Sequence, residues 1–321
     1  MKPRLLVTRR VFPEVMALLD TRFDIESNPA DDDWSRAQLL ARVRDKDALF
    51  VVSSERVDAE LLAAAPAVRI VATGSVGFNH IDLAACSERG VLVTHTPDVL
   101  TEATADLGWA LLMAAARRVC ESGQWLRAGN WQRWAWDQFL GQDVHGATLG
   151  IVGMGRIGSA IARRGRGFGM KILYSNRNRA ANDAELGAIR VGREQLLREA
   201  DHVVLVVPYS PQTHHLIGAP ELALMKPTAT LVNIARGGVV DDAALAQALR
   251  DGRIAAAGLD VYENEPALDP GLLDVANVVL TPHIGSATRS SRLGMAMLAA
   301  RNLVAWAQGA DPITRVPQPS R

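Results

Sequence analysis

Arg236, Glu263, Glu265 and His283 are the side chains of this sequence whose types could do chemistry together. Each follows an apolar run: Arg236 in LVNIARGG, the two glutamates in GLDVYENEP, His283 in LTPHIGSA. In open α/β sheets, ligands bind at the carboxyl ends of strands, which is where these residues would stand. Taken singly, each has an ordinary explanation: an arginine capping a strand, surface glutamates, a histidine packed in a core. The other reading of His283 is a proton donor placed at a strand's end.

A glycine-rich turn precedes them. TLGIVGMGRIGSAIARRGRGFG (148–169) reads as an apolar strand, then Gly153-Met154-Gly155-Arg156-Ile157-Gly158, then a helical pattern. A GxGxxG between strand and helix is the dinucleotide fingerprint. Gly153 permits the tight turn, Gly155 lets a pyrophosphate approach the backbone, and Gly158 lets helix and strand pack closely. The helix N-terminus then offers free N–H groups to phosphate. NAD binders place a carboxylate about 20 residues further on, against the ribose 2′-hydroxyl. Here the next strand ends in ILYSNRNR, so Ser175, Asn176, Arg177 and Arg179 occupy that loop. No carboxylate stands there to repel a 2′-phosphate, and two guanidinium groups can pair with it. The expected cofactor is NADP(H) in preference to NAD(H).

The elements that must position these residues form two series. RLLVT (4–8), ALFVV (48–52), RIVAT (69–73) and VLVTH (91–95) read as buried strands separated by helical patterns. A second series follows at 148–152, 170–174, 202–207, 229–234, 255–261 and 277–280. Strand–helix alternation implies parallel sheets covered on both faces. A single helix over 100–123 is expected to cross between the two series, and a last helical stretch after His283 is too short to be a domain. The expected domains are 1–98 with 286–321, and 99–285, the cofactor domain being inserted into the other.

Composition narrows the function classes. The 35 Lys+Arg balance 35 Asp+Glu, so no basic footprint for nucleic acid or an anionic membrane exists. Hydrophobic residues make up 48%, enough for two cores. No segment approaches about 18 uncharged apolar residues, and the N-terminus lacks a signal-peptide core. Only Cys86 and Cys120 are present, far apart, so neither a disulfide framework nor a cysteine metal site is expected. His214 and His215 in SPQTHHL read as surface residues, and no HxxxH spacing supports a metal. The expected location is cytoplasmic.

Together, GMGRIG, NIARGG, GLDVYENEP and TPHIGSAT resemble the motifs of the D-isomer-specific 2-hydroxyacid dehydrogenases, over essentially the whole chain from GSVGFNHIDL (74–83) onward. Within that family, VLTEATADLGWALLMAAARR and GNWQRWAW are most similar to the glyoxylate/hydroxypyruvate reductases, including 2-ketogluconate reductases. The resemblance implies two doubly wound parallel-sheet domains, a Rossmann cofactor domain inserted into a flavodoxin-like substrate domain. It implies that Arg236 binds the carboxylate and keto oxygen of a 2-keto acid. His283 donates the proton, and Glu265, by its spacing from Arg236, supports the imidazole rather than Glu263. The chemistry suits these types: a guanidinium orients an anionic substrate, and an imidazolium stabilises and protonates the carbonyl oxygen.

Val76 and Gly77 match the loop whose backbone N–H groups hold the substrate carboxylate. Met154, Arg156 and Ile157 in the turn, with Pro208 and Thr213 in VPYSPQTHH, match cofactor contacts. Thr104, Ala235, Asp260, His283 and Gly285 match the nicotinamide end. Four of the seven tryptophans, Trp125, Trp131, Trp134 and Trp136, lie within twelve residues and imply a homodimer interface. Trp134 matches a position that reaches the neighbouring subunit's substrate pocket, where it would filter substrate size. The implied activity is reduction of glyoxylate, hydroxypyruvate or 2-ketogluconate to the D-2-hydroxy acid. A 3-phosphoglycerate dehydrogenase and a dinucleotide-sensing, co-repressor-like binding protein are the alternatives.

Overall fold

The computed structural model describes residues 1–319 and divides into two units: Met1–Leu100 with Ala287–Arg321, and Thr101–Ser286. In the first unit, short apolar runs become β1 (Arg4–Val7), β3 (Ala48–Val51), β4 (Ile70–Thr73) and β5 (Leu92–Thr94), with β2 (Asp24–Ser27) beside β1. The sheet order is β2-β1-β3-β4-β5 and every pairing is parallel. Its two faces carry separate cores, one around Leu6, Leu49 and Val71, the other around Leu5, Phe50 and Ile70. That division follows the period-2 alternation of neighbouring strand residues. The last helix, Arg289–Ala307, lies in this unit and packs Ala299, Ala300 and Leu303 into the second of these cores.

The second unit contains β6 (Thr148–Val152), β7 (Lys171–Ser175), β8 (Ala188–Arg190), β9 (His202–Leu205), β10 (Thr230–Asn233), β11 (Ala256–Leu259) and β12 (Val278–Leu280). They form one parallel sheet in the order β12-β11-β10-β9-β6-β7-β8. The order reverses between β6 and β9, which makes their carboxyl ends a topological switch point. Asn233, Leu259 and Leu280 lie in register across β10, β11 and β12, so the three following loops leave the sheet at one level.

Two strands, β2 and β8, were not expected from apolar runs. Both are sheet edges and only partly buried, so DIES and AIR carry no continuous hydrophobic run to mark them. The single helix expected over 100–123 is two, Thr101–Ala116 and Val119–Arg127. Arg118 turns to φ +54° between them, and Gln142 donates its N–H to the Ala116 carbonyl at 2.8 Å, ending the first helix. Among the described residues no helix is long and apolar enough to cross a membrane.

Candidate active site

Arg236 is placed by the turn after β10. Asn233, almost fully buried, accepts from the Ala235 N–H at 3.1 Å and donates to the Arg236 carbonyl at 3.3 Å, folding the chain back. A Cβ on Gly237 would stand 1.6 Å from the Tyr262 carbonyl oxygen, so only glycine lets this turn rest against the loop after β11. The Arg236 guanidinium donates to the Ala235 carbonyl at 2.7 Å. Burial pushes its pKa down, and the nearby Glu265 charge pushes it back up without cancelling the effect.

Glu265 follows β11 and is fixed at both oxygens. Oε1 accepts from the Tyr262 N–H at 2.8 Å, and Oε2 accepts from His283 Nδ1 at 2.7 Å. Burial raises the carboxyl's pKa, but the hydrogen bond and charge of His283, the Tyr262 N–H and Arg236 outweigh it and hold it below the ordinary value. A carboxylate only accepts, so Nδ1 of His283 carries hydrogen and Nε2 is the atom left for a reaction partner. The two side chains are 40% and 33% exposed, which leaves the pair accessible.

The His283 backbone has φ +52°, a region that non-glycine residues seldom enter. Asp260 holds it there. One carboxylate oxygen accepts from the Ile284 N–H at 2.7 Å and from the Thr281 hydroxyl at 2.6 Å, and the other accepts from the Gly285 N–H at 2.8 Å. Asp260 thus spends three of about four acceptor positions on the histidine's own turn. Tyr262 ties the two strand ends together. Its hydroxyl reaches the Thr281 carbonyl at 2.9 Å and the Leu259 carbonyl at 3.2 Å, while its N–H holds Glu265. Neither tyrosine nor Asn233 was singled out from sequence, because each sits inside an apolar strand motif with no spacing to distinguish it.

The glycine-rich turn stands at the switch point. Gly153 has φ +106°, and a Cβ there would lie 2.8 Å from the Val206 backbone beyond β9. A Cβ on Gly158 would lie 2.2 Å from the Gly153 carbonyl oxygen. Gly155 caps the helix Arg156–Gly167 with no side chain over the first turn, and no described atom lies within 4 Å of its missing Cβ. A bare helix start bordered by tight glycines fits a dinucleotide pyrophosphate. The Met154 side chain is buried in the core, with Ile157 partly buried against it, so neither contributes a polar side chain. Arg156 begins the helix.

The loop after β7 is partly committed to structure. Asn176 clamps the turn through the Met154 N–H at 2.6 Å and the Met154 carbonyl at 3.3 Å, and the Ser175 carbonyl accepts from the Gly153 N–H. Arg179 pairs with Asp183 at 2.8 Å, and Tyr174 bonds the same carboxylate at 2.7 Å. Arg177 is exposed and forms no ion pair among the described residues. Arg190, unmarked in the sequence, donates to the carbonyls of Asn176 and Arg177.

The Thr213 hydroxyl is held within its own turn, accepting from the Ser210 N–H and donating to the Pro208 carbonyl. Ala235 is buried, and Thr104 lies beside Gly285, where a Cβ would meet it at 3.4 Å. In the first unit, Ser75 donates to the Gly77 carbonyl at 2.6 Å and His95 bonds the Val76 carbonyl at 2.9 Å. The N–H groups of Val76 and Gly77 have no partner among the described residues. Trp134 is 64% exposed, with its ring edge-on to Trp136 at 4.6 Å between centroids.

The model for the NAD binding domain of the D-isomer specific 2-hydroxyacid dehydrogenases matches residues 109–285. The glyoxylate reductase of Thermococcus onnurineus is 51% identical over 321 residues, covering 98% of this chain and 96% of its own. That of Pyrococcus horikoshii is 49% identical over 322 residues, with coverage of 98% and 96%. Among solved structures, a glyoxylate reductase from Paecilomyes thermophila superposes with a TM-score of 0.89 at 34% identity, covering 98% of each chain. The NADPH-dependent glyoxylate/hydroxypyruvate reductase of Sinorhizobium meliloti gives a TM-score of 0.88 at 36% identity over the whole of both chains.

Proposed function

This chain belongs to the D-isomer specific 2-hydroxyacid dehydrogenase family, an NAD(P)-dependent oxidoreductase family, and we propose that it reduces glyoxylate and hydroxypyruvate to D-2-hydroxy acids with NADPH as preferred donor. The observation that carries the reading is the 2.7 Å bond from His283 Nδ1 to Glu265, set at the strand ends beside Arg236. The bound nicotinamide dinucleotide supplies the hydride. Arg236 orients the substrate through its carboxylate and keto oxygen by paired, charge-assisted hydrogen bonds. His283 gives its Nε2 proton to the carbonyl oxygen as negative charge develops there. Glu265 keeps the ring oriented through the bond to Nδ1.

The preference for NADPH rests on the loop after β7. It offers no carboxylate to repel a 2′-phosphate, and Arg177 supplies a guanidinium not already spent on an ion pair. Arg179 contributes less, since Asp183 engages it. A homodimer would cover Trp131, Trp134, Trp136 and Leu140, all well exposed in the single chain, and would carry Trp134 to the partner's pocket. 2-Ketogluconate is the larger candidate substrate.

A panel of glyoxylate, hydroxypyruvate, 2-ketogluconate and pyruvate, each with NADPH and NADH, tests the proposal. The expected result is the highest kcat/KM for glyoxylate or hydroxypyruvate with NADPH. Preference for another acid would overturn the substrate reading, and an NADH advantage would overturn the cofactor reading.

A further inference from the structure

One cluster in the second unit takes no part in the chemistry above. His214 and His215 are consecutive residues of the turn after β9, and their rings stack with centroids 4.0 Å apart and planes 22° apart. Glu263, from the loop after β11, brings both carboxylate oxygens to 3.1 Å from His215 Nε2. One donor atom from each of the three residues lies within 4.8 Å of the others. The backbone is bent to achieve this: His215 has φ +46° and donates its N–H to the Gly238 carbonyl at 2.7 Å.

The remaining ring nitrogens are supported from behind. The Tyr209 hydroxyl lies 3.3 Å from His214 Nδ1, and the Asp241 carboxylate lies 3.8 Å from His215 Nδ1. With the Glu263 carboxylate as acceptor, His215 Nε2 carries a hydrogen in the metal-free chain, and a cation bound there would displace that proton while Asp241 stays near the other nitrogen. An ion pair between His215 and Glu263 would account for those two residues. It gives no role to His214, whose ring is held against His215 and backed by its own hydroxyl.

We propose that His214, His215 and Glu263 form a binding site for a divalent transition cation of the zinc class. Two imidazole nitrogens and a carboxylate oxygen suit that ion, with water completing the set. Zinc bonds of about 2.0–2.2 Å place tetrahedral ligands about 3.3 Å apart, close to the His215–Glu263 separation. The His214 donor atom, now within 4.8 Å of the other two, would move inward to close the third side. The ion joins the turn bearing Thr213 to the segment bearing Glu265, and so stiffens both.

The test is titration of the metal-free full chain with Zn2+ by calorimetry, with Co2+ absorption as a report on geometry. One ion per chain, tetrahedral cobalt bands and a rise in Tm on adding Zn2+ are expected. His214→Ala and Glu263→Gln should each weaken binding at least about ten-fold, a loss seen even for outer-sphere partners. Melting curves without metal check that each variant folds, and His214→Asn replaces His214→Ala if it does not. His283→Ala should keep the site, since that residue stands outside it. No stoichiometric Zn2+ binding by the wild type, unchanged affinity in the variants, or loss of the ion in His283→Ala would each overturn the proposal.

Discussion

The carboxyl edge of the second unit's sheet has two differently built ends. After β10, β11 and β12, the side chains that could move a proton are tied from several directions. Glu265 is held at both oxygens, and His283 is forced into a left-handed turn by three bonds to Asp260. After β7 and β8 the loop is exposed, its anchoring is mostly through backbone and Asn176, and Arg177 projects no ion pair among the described residues. Proton transfer depends on hydrogen-bond distance and direction, so its groups need a rigid setting. Selecting a phosphate depends on charge, which tolerates looser placement.

The contrast sets the order of expected effects. His283→Ala should lower kcat by at least about 10²-fold, the lower range for a general acid; near-normal turnover would mean that the tied end is not the proton donor. Tyr262→Phe removes the hydroxyl that links the two strand ends. The single hydroxyl proton is shared between the Leu259 and Thr281 carbonyls, so losing about 1–1.4 kcal/mol of support implies a kcat roughly five- to ten-fold lower with KM little changed. A rise in KM alone would show that Tyr262 serves substrate binding instead.

At the exposed end, Arg177→Ala should lower kcat/KM for NADPH about five-fold and leave NADH nearly unchanged, as befits a solvent-exposed charge pair. Arg179→Ala should do less, because its partner is already Asp183. Equal losses for both cofactors would remove the loop from phosphate selection. The smallest effect is expected for Trp134→Ala, about a three-fold shift of kcat/KM toward 2-ketogluconate relative to glyoxylate. An unchanged substrate ranking would end its role as a size filter.

The same contrast explains what could be read without coordinates. The α/β class and parallel sheets were legible because buried central strands are short, continuous apolar runs with helical patterns between them. The edge strands β2 and β8 were not, because half-exposed strands keep polar residues. Arg236, Glu263, Glu265 and His283 were legible as polar residues at the ends of apolar runs, and the family resemblance joined them into one set and chose Glu265 over Glu263. Their supports were not: Tyr262, Asn233 and Asp242 lie in or near apolar segments, and the bonds of Tyr262 to Thr281 and of Asp242 to the Glu263 N–H join stretches far apart in sequence. Asp242 shows this well. Burial, reinforced by neighbouring carboxyl groups, pushes its pKa up to about 6 although the Glu263 N–H opposes the shift, and its bond to that N–H at 3.0 Å exists only in the folded unit. Likewise, the pairing of Arg179 with Asp183 was one helical turn away in sequence, yet two arginines in one loop looked equally available.

The central claim is that Glu265 acts through His283 as one proton-donating unit. A double-mutant cycle on kcat for glyoxylate reduction with NADPH, using His283→Ala, Glu265→Gln and both together, tests it most directly. Residues that act as a unit are not additive, so the double variant should turn over within about three-fold of His283→Ala alone. Losses that multiply independently would contradict the account.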